Sequence, residues 1–202
     1  MSAQLQGLDF VGVPLTADFE LDESAMLQAI AAHQPAITYL AFPNNPSANL
    51  WCDQTIEKII LAADLHGGLV VIDEAYQPFA QRSCLACLAQ HQHVLLLRTL
   101  SKFGLAGVRL GYLIGRAALI AEIDKARPPY NVSVLNCEAA LFALQHSEVF
   151  EAQAADIRQQ RTIIFEAMSA LPDVKVYPSQ ANMLLLRVPD AARTFAAMLA
   201  RG

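Results

Sequence analysis

Two stretches of this 202-residue chain hold residue types that can do chemistry together. The first, VVIDEAYQPF at 70–79, runs apolar residues straight into Asp73 and Glu74, with Tyr76 three places past the first acid. Burying a carboxylate is costly unless a cation or several donors meet it, so an acid closing a buried strand implies a specific partner. The second, RTLSKFGLAGVRLGY at 98–112, sets Lys102 behind two hydroxyls, Thr99 and Ser101, and ahead of Arg109. An amine, hydroxyl donors and a guanidinium in one loop describe a site for a phosphate and a carbonyl together. A third polar stretch, FPNNPSANLW at 42–51, includes Asn45.

These stretches need a frame that brings them to one edge. ITYLAF (37–42), GLVVID (68–73), HVLLLRTL (93–100) and RLGYLIG (109–115) read as core strands buried on both faces. Between them LDESAMLQAIAAHQ (21–34) and DQTIEKIILAADLHGG (53–68) have the apolar spacings of amphipathic helices, the second with Asp53 as N-cap and a glycine pair as its stop. Alternation of this kind predicts an α/β fold with a mostly parallel sheet flanked by helices. Ligands of such sheets gather at the carboxyl ends of the strands, where all three polar stretches fall.

After RPPYN (127–131) the pattern changes. Residues 134–171 read as one or two long helices, 171–190 as two short strands around a Pro-Ser turn, and AARTFAAMLARG begins another helix. The expected division is 1–140 as the central part of a ligand-binding domain and 141–202 as linking helices with part of a small α+β domain.

Composition narrows the partners. With 54% hydrophobic residues the chain can bury a large core, and its formal net charge of -5 offers no basic surface for nucleic acid or anionic lipid. No apolar run reaches the roughly 18 residues of a membrane span, and MSAQLQGLDF lacks the basic and apolar parts of a secretion signal. A cytoplasmic protein with a small-molecule partner is expected. Four cysteines make no disulfide framework in a chain this long. Cys84 and Cys87 form a C-x-x-C followed by His91 and His93, but there is no second such pair and the histidines do not share a helix face with the cysteines, so no metal is expected.

NNPSANLW, VVIDEAYQPFA, RTLSKFGLAGVRLGYLIG and RPPYNV, in this order, resemble the fold-type I pyridoxal-phosphate aminotransferases, and most closely their histidinol-phosphate branch. The resemblance runs from about Gly7 to the end. It implies pyridoxal 5'-phosphate as cofactor, with Lys102 as the catalytic amine that joins the cofactor aldehyde and later moves a proton. Asp73 would pair with the ring nitrogen, Tyr76 and Asn45 would donate to the ring oxygen, and Thr99, Ser101 and Arg109 would hold the phosphate. It further implies an amino donor, a 2-oxo acid acceptor and a homodimer. Other reactions on the same scaffold, transfer to another amino acid or decarboxylation of a phosphorylated one, stay open, as does a ligand-sensing domain of a regulator.

Other residues have plainer readings. Glu74 is assigned to structure or surface, Asn44 to the turn, Trp51 to the core and Tyr112 to strand packing. Tyr130 and Asn131 read either as turn or hinge residues or as residues near the active site or subunit interface, and Asn182 and Arg187 stay unassigned. The family's Asn-Pro-Thr-Gly turn is Asn45-Pro46-Ser47-Ala48 here, where alanine resists the positive φ that glycine accepts. The loop from Lys102 to Arg109 is one residue short of many members. The amino-terminal phosphate-binding helix and the carboxyl-terminal substrate arginine of the family find no counterpart, so an internal segment of a longer enzyme is expected, one that by itself binds the cofactor weakly and turns over little.

Overall fold

A computed structural model describes residues 2–202. In chain order its elements are α1 (Ser2–Leu5), α2 (Glu23–His33), β1 (Ile37–Ala41), α3 (Asp53–Asp64), β2 (Leu69–Asp73), a 3-10 turn (Gln77–Phe79) and α4 (Cys87–Gln90). There follow β3 (Val94–Thr99), a second 3-10 turn (Ala106–Val108), β4 (Gly111–Ile114), α5 (Ala117–Asp124), α6 (Val134–Gln145), α7 (Ser147–Ser169), β5 (Lys175–Val176), β6 (Leu186–Arg187) and α8 (Ala191–Leu199).

The main sheet has the order β1-β2-β3-β4. β1 and β2 run parallel with Ala41 opposite Asp73, and β2 and β3 run parallel with Asp73 opposite Leu97. β4 returns antiparallel with Tyr112 opposite Arg98. The expected mostly parallel sheet is therefore present, and its register brings the ends of β2 and β3 side by side.

The core lies on one face of that sheet. Ile30 of α2 and Ile56, Ile59 and Ile60 of α3 pack against Val70, Ile72, Val94 and Leu96. Each such side chain contributes about 1.5–3 kcal/mol on burial, which fixes the strands beneath the two helices. Burial on both faces, the expectation from the continuous apolar runs, holds in the middle of β2 and β3, where Val71 and Leu95 are buried on the face away from the helices, and fails for β1. Both helices lie on the same face, and the other leaves Tyr39 66% exposed and Ile37 44% exposed.

Helix ends follow local chemistry. Asp22 caps α2 by accepting from the Ala25 amide at 2.9 Å. Asp53 is not the cap of α3, as its type suggested: Cys52 holds that position without a side-chain bond, while the Asp53 carboxylate pairs with Arg82. The helical stretch after 134 is two helices, broken at His146. α7 lies across the 3-10 turn at Gln77–Phe79 and reaches β5, and β5 and β6 pair antiparallel.

Candidate active site

The tips of β1, β2 and β3 end at one edge of the sheet, and each leads into one of the polar stretches. Side chains alternate between the two faces along a strand, so Asp73, its register partner Leu97 and, two residues further on, Thr99 project to one side. Glu74 and Arg98 project to the other, the face of the helices. This parity separates the two adjacent acids of the opening motif.

Asp73 is half-buried, and its Oδ1 accepts from the Ala75 amide at 2.9 Å. Among the described residues no ion pair uses its charge. Tyr76 is buried at 9% exposure, in the turn that follows, and its hydroxyl accepts a 3.0 Å hydrogen bond from Asn45 Nδ2. Asn45 arrives from the β1 tip, where Asn44 shapes the turn by donating from Nδ2 to Ser47 Oγ at 2.7 Å. Ala48, the residue expected to resist a positive φ, adopts φ 60° and is fully buried. The Ala48 amide donates to Asn44 at 2.7 Å and its carbonyl accepts from the Gln180 amide at 2.6 Å, so the surrounding bonds hold a backbone that alanine by itself disfavours.

From β3, Lys102 brings its Nζ to 5.3 Å from the centre of the Tyr76 ring. Thr99 donates its hydroxyl to the Leu110 carbonyl at 3.2 Å and accepts from the Ser101 amide at 3.1 Å, a local turn that aims the chain into Lys102. Gly104 then takes φ 102°, and a Cβ there would stand 2.8 Å from the Phe150 ring, so the turn between Lys102 and Arg109 requires glycine. Asn45, Tyr76 and Lys102 thus meet directly, while Asp73, Thr99 and Ser101 share their strand tips. Arg109 stands apart: it is exposed, has a left-handed backbone of φ 53°, and no hydrogen bond or ion pair of its side chain joins it to the others among the described residues.

The donor set is a carboxylate, a phenol, an amide, an amine and two hydroxyls. It fits a flat ring with a cationic nitrogen, an oxygen substituent, an aldehyde and a phosphate. Asp73 has a charge free for such a cation, and Tyr76, whose oxygen accepts from Asn45, keeps its own proton to donate.

The most tightly held polar group at this edge is Glu74, which the sequence alone reads as structure or surface. Glu74 has a side chain with no exposure, and its carboxylate pairs with Arg98 at 2.7 Å. Neither Arg98 nor the third partner, Ser83, stood out in the sequence. A signal existed: Glu74 shares the parity of Val70 and Ile72, and Arg98 that of Val94 and Leu96. Two arginines of α7 also went unnoticed. Arg158 donates to the Pro78 carbonyl at 2.7 Å, and Arg161 bridges the carbonyls of Phe79 at 3.3 Å and Ala181 at 2.8 Å.

The cysteine motif lies off this edge. Burial pushes the Cys84 thiol well above its usual range and raises that of Cys87. His91 pairs with Glu57 at 3.0 Å, and His93 meets the Ile60 carbonyl at 3.0 Å.

A family model described as aminotransferase class I and II matches residues 1–202. The histidinol-phosphate aminotransferase of Polaromonas naphthalenivorans (strain CJ2) is 70% identical over 195 residues, covering 96% of this chain and 53% of its own length. That of Methylibium petroleiphilum is 66% identical over 202 residues, covering all of this chain and 54% of its own. The chain spans about half the length of the curated relatives it matches. Among solved structures, the histidinol-phosphate aminotransferase of Sinorhizobium meliloti in complex with pyridoxal-5'-phosphate superposes with a TM-score of 0.84 at 27% identity, over 98% of this chain and 55% of that one. The enzyme of the same name from Clostridium acetobutylicum gives 0.87 at 20% identity, a likeness of fold.

Proposed function

The chain belongs to the class I and II aminotransferases, and from that premise we propose that it supplies the cofactor-binding edge of an enzyme that transfers the amino group of L-histidinol phosphate to 2-oxoglutarate. The products are imidazole-acetol phosphate and L-glutamate. The observation that carries this reading is the meeting of Asn45, Tyr76 and Lys102 beside the β2 tip that bears Asp73. The proposed cofactor, pyridoxal 5'-phosphate, supplies when bound an aldehyde for the amino group and a ring that accepts electrons.

The residues then take these roles. Lys102 Nζ would be the amine that holds the cofactor and would hold and return the proton at the substrate carbon. Asp73 keeps a proton on the ring nitrogen by facing it with negative charge. The Tyr76 hydroxyl donates to the ring oxygen, with Asn45 Nδ2 beside it. Thr99, Ser101 and Arg109 hold the phosphate, Arg109 by turning its exposed side chain inward.

The same reading divides the chain into the central part of the cofactor domain, 1–140, and linking helices with part of a small domain, 141–202. It places the protein in the cytoplasm as a homodimer; among the described residues no helix is long and apolar enough to cross a membrane.

Substrate choice is tested by single-turnover amino transfer to the cofactor-loaded protein. L-Histidinol phosphate should convert the bound cofactor faster than L-phenylalanine or O-phospho-L-threonine. Preference for either of the others contradicts the assignment.

A further inference from the structure

The Glu74 carboxylate makes five hydrogen-bond contacts with four donor hydrogens, the single Ser83 hydroxyl proton being shared between its two oxygens. Oε1 accepts from Ser83 Oγ at 2.9 Å and from the Cys84 amide at 2.6 Å, and Oε2 accepts from Ser83 Oγ at 3.2 Å and from Arg98 Nε and Nη2 at 2.9 and 2.7 Å. Arg98 Nη2 also donates to Ser83 Oγ at 2.9 Å, so the three side chains close a ring. Both oxygens are satisfied, Oε2 by two guanidinium nitrogens that converge on it and Oε1 by Ser83 and the Cys84 amide, and a fully satisfied buried network of this kind is rigid.

The placement of this cluster is specific. Glu74 immediately follows Asp73, and its amide donates to the Leu97 carbonyl at 2.8 Å, extending the β2–β3 ladder by one bond. Its bond to the Cys84 amide ties the chain back on itself, enclosing the segment 75–83 that presents Tyr76. Arg98 immediately precedes Thr99 and lies opposite Tyr112 in the register. One ion pair thereby fixes the loop bearing Tyr76 and the two strand tips bearing Asp73 and Thr99, while its own atoms lie on the opposite face of the sheet.

Stability alone does not account for the pair. Taking both charges out of water costs several kcal/mol per ion, about what their attraction returns, and apolar side chains of similar volume commonly serve as well or better. What apolar contacts cannot supply is a unique register and a fixed direction.

We propose that Glu74 and Arg98 are positioning residues for the cofactor: their ion pair sets Asp73, Tyr76 and Thr99 at the distances one pyridoxal phosphate molecule requires. This rests on the cofactor reading above.

The experiment uses the full-length enzyme that contains this segment and compares the unaltered protein with the double variant Glu74→Met/Arg98→Leu and the single variant Arg98→Lys. Thermal unfolding is followed first, then titration with pyridoxal 5'-phosphate by visible absorption, including the pH at which the band changes. The double variant should unfold within a few degrees of the parent, yet bind at least about tenfold more weakly, as mispositioned groups do. The pH of its spectral change should also move, because Asp73 no longer faces the ring at a fixed distance. Arg98→Lys keeps the charge and loses the fork, and should fall between the two. Binding and titration unchanged in both variants overturn the proposal and leave the cofactor reading intact. A double variant that fails to fold while Arg98→Lys folds and binds like the parent overturns it also, because the pair is then structural. No binding by the full-length parent overturns the cofactor reading and this inference with it.

Discussion

Asn45 Nδ2 lies 3.0 Å from the Tyr76 hydroxyl across 31 residues of sequence, so the β1 and β2 tips are joined through two polar side chains at a single point. Lys102 Nζ stands over the ring of the same tyrosine. Tyr76→Phe keeps the ring and removes the hydroxyl. A hydrogen bond to a charged group is worth about 1.5–3 kcal/mol, so affinity for pyridoxal 5'-phosphate should drop by about tenfold to a hundredfold. Asn45 is exposed and loses little, so thermal unfolding should stay nearly unchanged. Titration by visible absorption measures the first and a melting curve the second.

Asp73→Asn separates charge from shape. Asparagine still offers an oxygen to the Ala75 amide, so the turn should survive. What goes is the negative charge proposed to keep a proton on the ring nitrogen. Breaking such a charge pair costs roughly 2–5 kcal/mol, or about thirtyfold to several thousandfold. Single-turnover amino transfer should slow by that factor, with far-ultraviolet circular dichroism unaltered.

Arg161 holds α7 to two separate segments by donating to Phe79 and Ala181. Burial, and then the charge of Arg158, lower its pKa below the usual guanidinium value. Arg161→Leu leaves two carbonyls without this donor at a partly exposed site, a loss of about 1–3 kcal/mol in urea unfolding. Arg158→Leu, which frees only the Pro78 carbonyl, should cost less.

Acid stability rests on two surface clusters. The hydrogen bond and charge of Lys175 hold Asp18 below the usual carboxylate range, and hydrogen bonds from Lys58 and then Thr55 do the same for Glu23. Both carboxylates have lower pKa values folded than unfolded. Their contribution is therefore present above about pH 4–5, the ordinary range, and is lost as pH falls through the lowered values. Lys175 is raised, chiefly by the hydrogen bond it donates to Asp18, so its share is present below its ordinary value and lost as pH rises through the raised one. The double variant Asp18→Asn/Glu23→Gln should show a shallower fall of melting temperature between neutral and strongly acid pH than the parent. Equal slopes contradict this.

The sequence makes some of this legible and hides the rest for physical reasons. Lys102, Asp73 and Tyr76 can be read because strand ends and the turns after them are local: apolar runs stop where the sheet stops, and polar residues that follow must lie at its edge. ITYLAF overstates two-sided burial, since a run apolar on both faces does not say how many faces the described helices cover. Glu74 shows the limit most clearly. Alternation along β2 assigns its face, but its partner Arg98 lies 24 residues away and meets it only through the register of two parallel strands. Register is a property of packing, and a single chain read in one dimension does not contain it. Arg109 shows the converse, because closeness to Lys102 in sequence does not bring its side chain to the other groups once the intervening turn takes a left-handed step.

The central claim is that Lys102 is the amine the cofactor joins. The chain has four lysines, at 58, 102, 125 and 175. Borohydride reduction of the protein loaded with pyridoxal 5'-phosphate, followed by peptide mass mapping, should place the added group on Lys102, and the Lys102→Ala variant should lose both that label and the visible band. Label on Lys58, Lys125 or Lys175 in place of Lys102, or a visible band that survives in Lys102→Ala, would contradict the account.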